Sequence, residues 1–224
     1  MDGRSAKNWS GWGLCFVFGL LDATCYLALG GAFAALMAGN LVLMGLSLGD
    51  FGLDSASLVY LLPILAFTVS ATVAGAVRPG TTFRSLKLDL LWTGWSILLA
   101  TCLIVWSADP VHVTAIGWLV VSTTAAALGF LSGAVFLSRG YEEDNQSQAN
   151  FMADGISHLV SYHVSSGKLI AIVFFLLGAV AGGVIYRYVG IGYAFTLALL
   201  VSLLAILGEV RQLKVHQNPP ASSG

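Results

Sequence analysis

Charge is what this sequence is short of: 9% of its 224 residues are Asp, Glu, Lys or Arg, against about 25% in an ordinary globular domain. With 57% hydrophobic residues and a mean hydropathy of +0.85, the composition excludes a soluble domain. With a formal net charge of −1, nothing points to nucleic acid. Cysteine is scarce as well. Cys15, Cys25 and Cys102 each sit inside an apolar run without metal-ligand spacing, so they read as small buried hydrophobes, and neither a metal site nor a cofactor is expected. Other absences narrow the class further. No GxxxxGK[ST] loop occurs, no Ser/His/Asp or Cys/His arrangement rises above chance, and the alternating ten-residue segments of a β-barrel are missing. An enzyme is not expected.

What is present is a series of apolar stretches long enough to cross a hydrocarbon core of about 30 Å. Full spans are expected near 11–29, 58–77, 88–107, 114–137, 167–186 and 191–208. The first has Arg4 and Lys7 before it, but its apolar run continues past Leu29, too long for the core of a signal peptide, so it reads as a retained span. Trp9 and Trp12 fit an interfacial aromatic anchor. Two segments fit less well: 31–48, apolar but glycine-rich, and 149–163, ANFMADGISHLVSYH, which is amphipathic.

Counting basic residues decides between two topologies. If both odd segments are broken or re-entrant, Arg4, Lys7, Arg78, Arg84, Lys87, Arg139, Lys168, Arg211 and Lys214 lie in the cytoplasm, with Arg187 alone outside. If both cross fully, Arg78, Arg84, Lys87 and Arg139 join Arg187 outside. The positive-inside rule favours the first arrangement. The expectation is an all-α membrane protein: about six transmembrane helices plus two short broken or re-entrant segments, in a single integral membrane domain over 1–224. Three spans per unit makes two inverted repeats, about 11–107 and 114–208, followed by a disordered tail from 215. A short echo, LMAGNLVLMG (36–45) against FMADGISHLV (151–160), agrees with a repeat. Inverted repeats with discontinuous helices at matching positions are a transporter pattern, with the site near the midplane.

Few polar residues lie where chemistry could use them. Asp22 sits about midway along the first span, where a charged side chain costs roughly 2.5–3.5 kcal/mol and is seldom kept without a partner or a task. It suits a proton carrier or cation ligand; a structural carboxyl bonded to a neighbouring helix is the competing reading. Asn40 follows a small-residue break, Ala38-Gly39, and could bond a substrate or satisfy freed backbone. Asp154 and His158, four apart, share a helix face that Tyr162 continues, which suits proton passage or the wet face of an interfacial helix. His112 and His163 read as loop or interfacial residues. Asp89 and Glu209, near span ends, are expected to be solvated. Gly178 and Gly182, with Gly183 beside them, fit close helix packing.

The stretch GLLDATCYLALGGAFAALMAGNLVLMG (19–45) resembles the signature region of the YoaK family, bacterial membrane proteins of about this length and of unknown function. Gly19, Asp22, Ala23, Leu29, Gly30, Phe33, Met37, Gly39, Asn40 and Gly45 match its pattern. Ala38 stands where that pattern has threonine, Ser132 where it has asparagine, and Asp154-Gly155 where it has Thr-Gly; Gly129 matches. The resemblance implies a multi-pass protein of a bacterial inner membrane and supplies no activity.

The reading that results is a small secondary transporter or permease, proton-coupled through Asp22, with Asp22, Asn40, Asp154 and His158 lining a substrate or ion site. Its partners are the lipid bilayer, an unidentified small solute or ion, and a second copy in a homodimer; both termini are cytoplasmic. A passive channel of paired re-entrant segments and a non-transporting scaffold subunit are the alternatives. Topology tests the frame. With the three cysteines removed, a single cysteine placed at Ser55 should react with an impermeant thiol reagent from outside; labelling from the cytoplasm would make 31–48 a full span and end the repeat argument.

Overall fold

The computed structural model describes residues 9–51, 55–75, 83–108, 110, 114–137 and 166–215. Among them are seven α-helices and no strand: α1 (Trp9–Ala28), α2 (Met37–Phe51), α3 (Ser55–Gly75), α4 (Phe83–Ala108), α5 (Thr114–Leu137), α6 (Ser166–Tyr188) and α7 (Ile191–Val215). Helix is the economical answer for such a composition, because it satisfies every interior backbone group within one segment. The hydroxyls comply by folding back onto the preceding turn. Thr24, Ser70, Thr101 and Thr124 donate to the carbonyls of Leu20, Ala66, Ile97 and Val120 at 2.6–2.8 Å.

Five helices contain a stretch long and apolar enough to span a membrane: Gly11–Ala28, Leu88–Ala108, Ala115–Ala134, Leu169–Tyr188 and Ile191–Arg211. These agree with five of the expected spans. The sixth, 58–77, corresponds to α3, whose apolar part, Val59–Ala74, is shorter, and the apolar part of α2 is Met37–Gly49. The expected segment 149–163, with Asp154 and His158, lies outside the described residues, as do His112 and His163.

Two helix pairs carry the most extensive packing, α1 with α6 and α3 with α5. Both are built on glycine. A Cβ at Gly178 would fall on the carbonyl oxygen of Phe16, and one at Gly182 on that of Leu20; across the interface, a Cβ at Gly19 would strike the Phe175 carbonyl. The second pair repeats this. A Cβ at Gly129 would meet the Ser70 hydroxyl and lie 2.7 Å from the Phe67 carbonyl oxygen. Without a hydrophobic drive between helices in lipid, such backbone-to-backbone approach supplies the van der Waals contact that holds them together. Around these pairs α4 packs on α5 and α7, α1 on α7, and α2 on α3. The Trp95 indole donates to the Leu199 carbonyl at 3.3 Å, and Thr101 to Thr123 at 3.1 Å.

The core is contiguous, with Val17, Leu20, Leu21, Leu91, Leu98, Leu128, Leu131 and Phe195 fully buried. Glu209 corrects an expectation. It is 7% exposed rather than solvated, because α7 continues as helix past it and turns this position inward, while Asp89 is exposed as expected. Gly178→Leu should separate α1 from α6, since the clash is with backbone that cannot rotate away; a loss of about 3 kcal/mol or more is expected, read as a lower unfolding temperature in detergent, whereas Gly183→Leu should be mild.

Candidate functional site

The site is the junction of α1 and α2, and it is built from the end of α1 outward. Leu29 N–H closes on the Cys25 carbonyl at 2.9 Å and Gly31 N–H on that of Tyr26 at 3.1 Å, while Gly30 and Gly31 hold φ of 94° and 81°. This is a left-handed helix stop that glycine makes at little steric cost. Residues 29–36 then run without regular structure until α2 begins at Met37. The break therefore precedes Ala38-Gly39-Asn40, where it was expected; those three residues are helical. Glycine pairs stop α1, and the small residues serve a different purpose.

That purpose is to receive Phe33. A Cβ at Gly39 would come within 2.8 Å of the Phe33 ring, so glycine leaves room for the ring, which also stacks on Tyr26 at 4.7 Å and 17°. Asn40 takes the backbone of the same residue. Its Oδ1 accepts from Phe33 N–H at 2.8 Å and its Nδ2 donates to the Phe33 carbonyl at 2.7 Å. One fully buried amide thus satisfies both backbone polar groups of a residue that has no helix to satisfy them.

Asp22 works two residues further on. From α1 its Oδ1 accepts a hydrogen bond from the N–H of Ala35 at 2.6 Å, and the neighbouring amides of Ala34 and Leu36 turn toward the same carboxyl. The residue is 2% exposed. Its other oxygen, Oδ2, is buried with no hydrogen-bond partner among the described residues. One turn on, Cys25 is buried, with Thr124 of α5 against it. Segment 33–35 brings Asp22 and Asn40 together in one local structure; Asp154 and His158 cannot be placed, lying outside the described residues. The roles of Phe33, Gly39 and Thr124 were not read from sequence. The only hint was an aromatic on either side of the glycine pair, Tyr26 and Phe33.

Chemically the arrangement offers two things, a row of backbone amides that favours negative charge and a carboxylate oxygen open to a proton or a cation. Fold and site together define a polytopic α-helical membrane protein with a polar, irregular centre. Residues 10–208 match the model of DUF1275, described as a protein of unknown function, and the chain belongs to that family. Neither a curated protein nor a solved structure matches it.

If Asn40 is the clamp described, Asn40→Ala leaves the Phe33 N–H and carbonyl without partners and should cost about 2–3 kcal/mol. Asn40→Asp keeps the acceptor only and should fall between; thermal unfolding of the purified protein reads both.

Proposed function

We propose that the protein is a small secondary transporter for a small solute, proton-coupled through Asp22. The observation that carries this reading is the buried Asp22 Oδ2, which has no hydrogen-bond partner among the described residues, in a span beside irregular backbone. A carboxyl kept inside an apolar bundle is costly, and a purely structural one would be expected to use both oxygens.

The inverted-repeat arrangement is part of the proposal, and the packing supports it. If α1, α3 and α4 correspond to α5, α6 and α7, the contact of α1 with α6 becomes that of α5 with α3, and α1 with α7 becomes α5 with α4, each of which occurs. The correspondence extends to residues. Gly19 faces Phe175 and Ala179 as Gly129 faces Phe67 and Ala71; Gly13 lies against Ala205 as Thr123 meets Thr101. Trp95 and Leu199 correspond to each other and touch, as residues on a two-fold axis must. Asp22 then answers to Ser132, so one half carries the carboxyl and the other a hydroxyl. Six spans, cytoplasmic termini and a bacterial inner membrane follow from the charge pattern and from the YoaK resemblance. A homodimer, with Asp154 and His158 completing the site, belongs to the same reading.

The bonds from Ala35 to Asp22 and from Asn40 to Phe33 favour a second reading, in which both residues only brace the junction. Asp22→Asn separates the two, since the amide retains an acceptor for Ala35 but carries neither the charge nor the titrating proton. In proteoliposomes screened with small solutes, it should reduce solute-driven proton flux by about tenfold or more with little change in unfolding temperature. Unchanged uptake and proton flux would remove the coupling, and flux linear in concentration and blind to a proton gradient would mark a passive channel.

A further inference from the structure

The amides that Asp22 engages stand immediately before α2, a helix of 15 residues. N–H groups at a helix start have no intrahelical partners, and the aligned peptide dipoles place positive potential there, which makes such a position a natural seat for an anion. Here the seat is already taken, by a carboxylate that belongs to the chain. An aspartate side chain beyond Cα is a tethered acetate. The seat is held through Oδ1, which accepts from Ala35 N–H with the Ala34 and Leu36 amides turned toward the same carboxyl, while Oδ2 is buried with no hydrogen-bond partner among the described residues, so acceptor positions of the carboxylate remain unused. The walls are small: Ala32, Ala34 and Ala35 are all buried.

We propose that the amides of 34–36 are the binding site of a small monovalent carboxylate, and that Asp22 is its built-in stand-in. When a proton binds Asp22, the side chain loses its charge, which weakens its hold on the amides enough for a charged carboxylate to compete. The Ala35 N–H then donates to the incoming carboxylate instead of Oδ1. One proton and one monovalent anion enter together, so the exchange is electroneutral, and no buried cation is required. When the proton leaves, Asp22 recovers its amides and the anion is expelled. The coupling step rests on the transporter reading; the anion seat does not. Among the described residues, Cys25 is a titratable group that bears on Asp22, and Thr124 of α5 stands against that thiol.

The test is chemical rescue in the full-length protein. Asp22→Ala removes a carboxylate and leaves Cβ, so formate restores the missing group. Sodium formate, titrated at constant ionic strength against the purified variant, should raise its unfolding temperature saturably by about 2–4 °C or more at neutral pH, where wild type should not respond. Equal responses of variant and wild type at neutral pH would overturn the proposal, as would no response in either. Should Asp22→Ala fold only in formate, that is the strongest form of the expected result; should it fold under neither condition, Asp22→Ser carries the same comparison. A formate response alongside undiminished proton flux in Asp22→Asn would keep the anion seat and remove the coupling, and the converse pair would remove the carboxylate substrate alone.

Discussion

Backbone polar groups buried in an apolar bundle must find partners, and the junction of α1 and α2 is where this chain meets that demand without a helix. Everything distinctive about the protein gathers there. Gly30 and Gly31 stop α1 by adopting left-handed angles, the stop frees the peptide units of 32–36 from helical bonding, and two polar side chains take over. Asn40 reaches back to Phe33 from the first turn of α2, and Asp22 reaches across from α1 to Ala35. Remove either and a buried peptide group is orphaned at a cost of about 1–3 kcal/mol. The remainder of the bundle can be as plainly apolar as it is because the irregular part is closed locally.

The second constraint is distance. Lipid is as apolar as leucine, so helices gain little from hiding leucines from it, and the interfaces that matter are those where backbones nearly touch. Gly19, Gly178 and Gly182 allow this between α1 and α6, and Gly129 and Gly133 allow it between α5 and α3. The same device at corresponding places is the physical ground for viewing the molecule as two related halves. It also anchors α1, the helix that carries Asp22, against α6 along the turns that lead up to the carboxyl.

Asp22 stands at the meeting of structure and function. Its Oδ1 is employed as a brace and its Oδ2 has no hydrogen-bond partner among the described residues, and a group half used in this way is one that can be exchanged. A carboxylate seated in amides before a helix, with no basic side chain among the described residues bearing on it, is held by the partial charges of those amides. Such a hold weakens when the carboxylate is protonated, which links the brace to proton movement without any further machinery.

Membrane class, the approximate spans, the importance of Asp22 and Asn40 and the close packing at Gly178 and Gly182 were all legible in the linear sequence, because composition, hydropathy and small-residue spacing are local properties that lipid reads directly. The location of the break was not. Ala38-Gly39-Asn40 looks like a helix breaker by composition, yet Gly39 is there to admit the Phe33 ring and Asn40 to bond its backbone, purposes that exist only once Phe33 has folded back over them. Glu209 looks like a solvated span end until α7 turns it inward. Sequence by itself determined that this chain lives in a membrane and keeps the Asp22 carboxyl midway along a span. Only the tertiary structure decided what that carboxyl touches, since which amide faces which oxygen depends on how α1 and α2 meet across a loop whose course no local preference dictates.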